Sequence, residues 1–192
     1  TSIPVYFLTW FSISEGFLNV GYYSRANSLL IIGTVIASSV GPLLYSKWSL
    51  VKGKELKLQV RRVSLLLAFV NTLLAIGLII FAPIFIRILY GTEYQTAAPV
   101  LRLLALTMIA NGAKEVSYGI LSSQGSPLSI MKNLVIGIIL SAILNYFIIP
   151  QFGVIGCSVV TVLVTFTTAF LLQINITRCY VNLFIQEKIK YA

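Results

Sequence analysis

Apolar residues fill this chain in long blocks separated by short polar interruptions, and the lengths of the charge-free blocks set the predicted elements. A helix that spans a bilayer needs about 20 apolar residues. Ala26 to Ser46 and Val63 to Ile86 each reach that length without a charge. Asn133 to Thr177 carries no charged residue at all. As one helix rising about 1.5 Å per residue, that block would be roughly twice the bilayer thickness, so it reads as two crossings. The break falls at Pro150-Gln-Phe-Gly153, where a helix-ending proline meets a turn-permitting glycine. A further span, 96–122, is helical by its apolar repeat but holds Arg102, Lys114 and Glu115. Thr1 to Ser14 reads as the end of another span, and a chain that opens inside an apolar run is expected to be a fragment. The predicted layout is a partial span over 1–14, spans over 24–46, 63–87, 96–122, 130–149 and 154–177, a basic linker over 47–62 and a tail over 178–192. The fold class is all-α: a polytopic transmembrane helix bundle.

Composition agrees. With 58% apolar residues, 10% charged residues and a mean hydropathy of +0.94, the chain lies far from soluble domains, whose charged fraction is about 25%. Positively charged loops are retained on the cytoplasmic side of a membrane. The linker holds Lys47, Lys52, Lys54, Lys57, Arg61 and Arg62 against Glu55 alone, which makes that side cytoplasmic. Alternation then places Gly91 to Gln95 and Gln151 to Gly153 outside, and Ser123 to Lys132 and the tail with Arg178, Lys188 and Lys190 inside. The C-terminus is expected in the cytoplasm. Topology thereby accounts for the net charge of +9, and no nucleic-acid partner is called for. The basic linker can also hold anionic lipid headgroups.

The missing residue types exclude most chemistry. There is no His or Asp, and the acids are Glu15, Glu55, Glu93, Glu115 and Glu187. Metal clusters, paired-carboxylate chemistry and Ser-His-Asp triads need groups that this set does not supply. Gly53-Lys54-Glu55 lacks the glycine spacing and following hydroxyl of a phosphate loop. An enzyme is not expected, nor any cofactor. Cys157 and Cys179 lie at opposite ends of one predicted helix, about 33 Å apart by helical rise, and read as two buried thiols.

Function is sought among polar residues inside the spans, because a charge within a bilayer is costly and usually faces a cavity or a partner. Thr107, Asn111, Lys114, Glu115, Tyr118 and Ser122 recur at helical spacing and make one face of their span polar. Lys114 falls about 27 Å along that helix, in its inner half. Two readings stand: Lys114 pairs with Glu115 or another acid and holds the bundle together, or it faces a central cavity and attracts an anionic headgroup, with Glu115 tuning it or taking a proton. Arg102, just past the Gly91 to Gln95 hinge, either locks that turn or pairs with Glu93. Arg25 sits at an outer helix end, within reach of lipid phosphates or of a cavity. The candidate site residues are Lys114, Glu115, Arg25, Asn111, Tyr118 and Arg102. Ser158, Thr161, Thr165, Thr168 and Asn175 form a second polar line, of the kind that lets membrane helices pack closely. Asn145 is a buried amide in need of a partner, and Tyr22, Tyr23, Tyr90 and Tyr94 suggest an aromatic belt at the outer boundary.

Several segments together carry a family likeness. Val20-Gly-Tyr-Tyr-Ser-Arg-Ala26, Pro42, the hinge from Ile88 to Arg102, Ser123-Gln-Gly-Ser-Pro127 and Ile148-Ile-Pro-Gln-Phe-Gly-Val-Ile-Gly156 follow in the order found in polysaccharide-unit exporters. The chain from about residue 16 to 178 resembles the C-terminal half of that branch of the multidrug/oligosaccharidyl-lipid/polysaccharide exporter superfamily. Where relatives often continue Gly-Ala-Ala after the turn, this chain has Gly156-Cys157-Ser158, which keeps the residues small.

The resemblance implies a transporter of twelve to fourteen helices in two lobes around a cavity that opens alternately to each side, this chain being the six-helix second lobe. It implies a bacterial or archaeal plasma membrane, and export of polyprenyl-pyrophosphate-linked oligosaccharide units from the inner to the outer leaflet for O-antigen, capsule or exopolysaccharide. The implied partners are that lipid-linked glycan, membrane lipids and the missing N-terminal lobe. Proton or sodium coupling and a polysaccharide polymerase partner stay open. The alternatives are a multidrug/cation antiporter, which would want a stronger carboxylate than Glu115 beside Lys114, and a peptidoglycan-precursor flippase. A polymerase or ligase would want a large outer loop, and no predicted outer loop exceeds about ten residues.

Overall fold

The computed structural model describes residues 3–11, 16–39, 48, 54–123 and 127–190. Pro42, Lys47, Lys52 and the Gln124–Ser126 turn lie outside the described residues, as do the side chains of the tail, Cys179 among them. Among the described residues five helices follow in order: α1 (Ile3–Phe11), α2 (Gly16–Ser38), α3 (Lys54–Tyr90), α4 (Ala97–Ser123) and α5 (Pro127–Lys190). No strand occurs among the described residues, and the fold is an all-α membrane helix bundle.

Two helices begin earlier than the charge-free blocks predict. Helix α2 starts at Gly16, ahead of residue 24, because Arg25 is no obstacle when it points outward: Leu18, Arg25, Ser28 and Ile32 form an exposed face, while Tyr23, Ala26, Leu29 and Leu30 are buried. Helix α3 starts at Lys54, so the second half of the expected linker is helix. Its residues Lys54 to Arg62 are mostly good helix formers; Val60 is buried and Arg61 and Arg62 are exposed, so an amphipathic first turn continues directly into the apolar span.

Segments Leu58–Tyr90 and Pro127–Thr177 are long and apolar enough to cross a membrane. The second is too long for one crossing, and its backbone breaks at Gly153, which has φ 53° and ψ −133°. A left-handed φ of that kind is open to glycine and strained for other residues, and Pro150 three residues before it removes a helix hydrogen bond. Helix α5 therefore has a proximal arm before the break and a distal arm after it. A shorter connection joins α3 to α4: Gly91, at φ 87°, leads into a single 3-10 turn, Thr92–Tyr94.

Helix α4 is the hub, packed against α2, α3 and both sides of the α5 break, while α1 packs on α5 and α2. Fifteen of its 27 residues are buried, so it takes the centre. The backbones close in where side chains are smallest: a Cβ on Gly112 would come within 2.9 Å of Asn71 Nδ2 and 3.2 Å of the Leu67 carbonyl on α3.

The core is split into two apolar clusters. One joins Leu8, Tyr23, Ala82, Leu101, Met108 and Cys157; the other joins Trp48, Leu67, Val116, Ile120, Leu172 and Ile176. Along α3, α4 and the distal arm of α5, polar residues lie between the two: Asn71 on α3, Asn111 and Lys114 on α4, and Thr161, Thr165 and Thr168 on α5. A polar layer is thus held between two apolar ones.

Candidate functional site

A cavity of about 230 Å³ opens in this polar layer. Helix α4 supplies Lys114 and Tyr118, one helical turn apart on the same face. The proximal arm of α5 supplies Asn133, Gly137 and Ser141, which recur at i, i+4 and i+8. The distal arm faces them with Thr161, Thr165 and Thr168, and Pro4 of α1 completes the wall. The two arms approach closely because Gly137 has no side chain: a Cβ there would lie 2.8 Å from Thr168 Cγ2.

The polar groups of the cavity differ in what they have left to offer. Asn133 is only 4% exposed, and its Nδ2 is buried with no acceptor among the described residues. Lys114 is half-buried and forms no ion pair among the described residues. Its neighbour Glu115, adjacent in sequence, is the charge that acts on it electrostatically, although the two side chains leave the helix in different directions. The threonines are different. Thr161 Oγ1 donates to the Cys157 carbonyl at 2.9 Å, Thr165 Oγ1 to the Thr161 carbonyl at 2.7 Å and Thr168 Oγ1 to the Val164 carbonyl at 2.9 Å. Their protons are committed to backbone, which leaves only acceptor lone pairs, and the Thr161 oxygen already meets the Tyr23 hydroxyl at 3.1 Å.

Of the six candidate residues, Lys114 and Tyr118 are brought together here. Asn111 and Glu115 are half-buried on α4 but are not in the cavity wall. Arg25 is elsewhere: exposed on α2, its guanidinium carbon lies 5.3 Å from the centroid of the Tyr90 ring, a cation–π contact worth about 0.5–1 kcal/mol at an exposed site. Tyr94 links this pair to Tyr22, with ring centroids 6.1 Å from Tyr90 and 6.0 Å from Tyr22. Tyr23 departs from the expected belt. One position along the helix turns it inward, where it is 2% exposed and its hydroxyl lies 3.1 Å from Thr161 Oγ1.

Arg102 neither locks the hinge nor pairs with Glu93. Its Nε donates to the Ile79 carbonyl of α3 at 3.2 Å. That carbonyl is four residues before Pro83, which has no N–H to return the usual helical bond. Arg102 caps a backbone oxygen that proline left free.

The residue that sequence reading missed is Asn133, which served only as the first position of a charge-free block. Its polar character inside an otherwise apolar run was the available signal. The Thr161, Thr165 and Thr168 line, expected as packing, packs against the proximal arm where Thr168 meets Gly137 and also lines the cavity. Asn145 finds its partner within its own arm, donating from Nδ2 to the Ser141 carbonyl at 2.7 Å, while Ser158 is buried and bonds the Val154 carbonyl at 2.9 Å. Cys157 is a buried free thiol. Among the described residues no group of three or more His, Cys, Asp or Glu side chains comes together as a metal site.

These features define a membrane helix bundle with a polar interior, the class to which polytopic transporters belong. The chain belongs to the MatE family, whose model matches residues 20–147, and with it to the multidrug/oligosaccharidyl-lipid/polysaccharide exporter superfamily. It is 31% identical over 145 residues to an uncharacterised membrane protein, MJ1068, of Methanocaldococcus jannaschii, a match that covers 73% of this chain and 29% of that protein. It is 25% identical over 201 aligned positions to a probable low-salt glycan biosynthesis flippase, Agl15, of Haloferax volcanii, covering 100% of this chain and 42% of that protein. The chain therefore spans less than half the length of these curated relatives. No solved structure matches it.

Proposed function

We propose that this chain is a lobe of a flippase that moves polyprenyl-pyrophosphate-linked oligosaccharide units from the inner to the outer leaflet for surface glycan synthesis. The observation that carries the reading is Lys114: a lysine half-buried in a cavity between apolar helices is costly to hold even with Glu115 beside it, and an anionic headgroup would repay that cost. The name of the Haloferax volcanii relative, a probable glycan biosynthesis flippase, points the same way. The lobe would be the C-terminal half of the transporter, with five whole crossings and part of a sixth, and its C-terminus in the cytoplasm as the charge bias requires.

In this mechanism the headgroup enters from the inner leaflet and its pyrophosphate is drawn to Lys114. The polyprenyl tail stays in lipid. Rocking of two lobes about the site then exposes the sugar outside. Arg25, stacked on Tyr90 away from the cavity, plays no part in holding the pyrophosphate.

The test is complementation of a bacterium that lacks its polysaccharide-unit exporter with the intact gene, reading surface polysaccharide and accumulated lipid-linked precursor at equal protein level. Lys114→Ala is expected to lower export about ten- to hundredfold, the effect of losing a charge-assisted contact of roughly 1.5–3 kcal/mol. Arg25→Ala is expected to retain most of it. Unchanged export with Lys114→Ala would overturn the reading, and raised resistance to cationic drugs without rescue would move the protein to the antiporter branch.

A further inference from the structure

Helix α3 is longer than the membrane it crosses. Its 37 residues rise about 55 Å, against roughly 30 Å of hydrocarbon. Tyr90 at one end belongs to the tyrosine cluster with Tyr94 and Tyr22, which suits a membrane interface, so the surplus length emerges at the Lys54 end. Packing sets how that end is turned. Val60 and Leu67 are buried in the second apolar cluster, which leaves Arg61 and Arg62 exposed on the other side of the helix. Neither arginine has an ion-pair partner among the described residues. Lys57 and Lys54 precede Arg61 by four and seven positions, in register with it on the helix, and Glu55 is the one acid between Lys47 and Arg62.

The apolar neighbours of this patch decide what it meets. Leu58, Leu65 and Phe69 lie three, four and eight positions from Arg61, on the same face, and all three are exposed. A soluble acidic partner would match the charges and leave that stripe uncovered. A phospholipid with an anionic headgroup covers both, its phosphate against the guanidinium groups and its chains along the stripe. We infer that the start of α3 binds an anionic phospholipid of the leaflet at that end, the inner one by the charge bias, with Arg61 and Arg62 holding the phosphate and Leu58, Leu65 and Phe69 seating the chains. The planar fork of an arginine takes two phosphate oxygens at once, and its apolar stem lies along the stripe below. The bound lipid fixes the depth of α3, against which the central helix α4 packs, so the charge of that leaflet bears on how firmly the bundle is held. The site is separate from the cavity and stands independently of the flippase reading.

The experiment is titration of the intact protein, purified in detergent micelles, with phosphatidylglycerol and with phosphatidylcholine of the same chains, read as the rise in unfolding temperature that binding to the folded state produces. Each cation at an anionic lipid surface is worth about fivefold in affinity, so phosphatidylglycerol is expected to bind about tenfold or more tightly than phosphatidylcholine. The double variant Arg61→Gln with Arg62→Gln is expected to lose that preference while binding phosphatidylcholine as before, which also shows that it folds. Arg61→Lys with Arg62→Lys, which keeps the charge, is expected to retain most of it. Lys132→Gln, which removes a single exposed cation on the same predicted side, is expected to leave the preference unchanged. Glycerol 3-phosphate, the headgroup without chains, is expected to bind about tenfold or more weakly than the lipid, because it leaves the apolar stripe uncovered. Equal affinity for the two lipids, or a preference that survives the double glutamine variant, would overturn the inference. So would glycerol 3-phosphate binding as tightly as the lipid, which would make this a soluble-anion site, or poly-glutamate doing so, which would make it a protein-docking face. None of these arms touches Lys114, so their failure leaves the flippase reading standing.

Discussion

Helices α3 and α4 lie side by side and invert the usual relation between hydropathy and burial. Helix α3 is apolar enough to cross a membrane, yet it points Leu66, Phe69, Leu73 and Ile80 outward, with Leu73 61% exposed. Helix α4 carries Arg102, Asn111, Lys114 and Glu115, and it is the helix the others surround. In water the more apolar helix would be the hidden one. Lipid removes that preference, because apolar side chains are as well placed in acyl chains as in a core, and polar side chains are driven inward instead. Hydropathy along this chain therefore reports contact with lipid, and polarity inside a predicted span reports the interior.

That contrast can be broken by experiment, beginning with its largest effect. Leu104 on α4 is 0% exposed, so Leu104→Ala leaves a cavity and is expected to cost about 2–5 kcal/mol. Leu73→Ala on the outer face of α3 is expected to cost well under that, since lipid fills the space. Thermal unfolding of the detergent-purified variants compares the two, and equal destabilisation would mean that α3 is covered by protein at Leu73. Where the helices meet, Gly112→Leu would drive a side chain into Asn71 and the Leu67 backbone; overpacking of this kind typically costs about 1–3 kcal/mol, read by the same melting experiment, and an unchanged melting point would deny the close approach. The smallest effect is expected at the peripheral link. Arg102→Met removes the donor to the Ile79 carbonyl, a polar contact of about 0.6 and at most ~1.7 kcal/mol in membrane bundles. Combining it with Pro83→Ala, which restores the helical N–H for that carbonyl, should cancel most of the loss, and additive losses would show that Arg102 acts through something else.

Much of this fold was legible without coordinates. Charge-free length and the Pro150 to Gly153 sequence mark the two arms of α5, and the structure has its break at Gly153. The polar periodicity of α4 singled out the helix that lines the cavity, with Lys114 and Tyr118 on it. The misplaced boundaries share one cause: a count of uncharged residues stops at Arg25 and Arg62, while a helix stops only when its backbone does. Asn133 was passed over, and the threonine line was read as packing alone, because a single span gives no sign of which polar residues another span will face.

By itself the sequence determined the solvent and the class: an apolar chain with few charges, its uncharged blocks each long enough for one crossing or two, satisfies its backbone in lipid as helices. It also determined that Lys114 must be accommodated somewhere, because an ammonium group is expensive in a bilayer wherever the helix turns it. Only the tertiary structure decided by what. Packing of α4 between the arms of α5 set Lys114 and Asn133 opposite Thr165 and Thr168, and packing of α2 on α3 gave Arg25 to Tyr90. Both are cations at helical positions in polar company. Which one faces a cavity and which one an aromatic ring depends on residues more than 18 positions away, and no local pattern carries that distance.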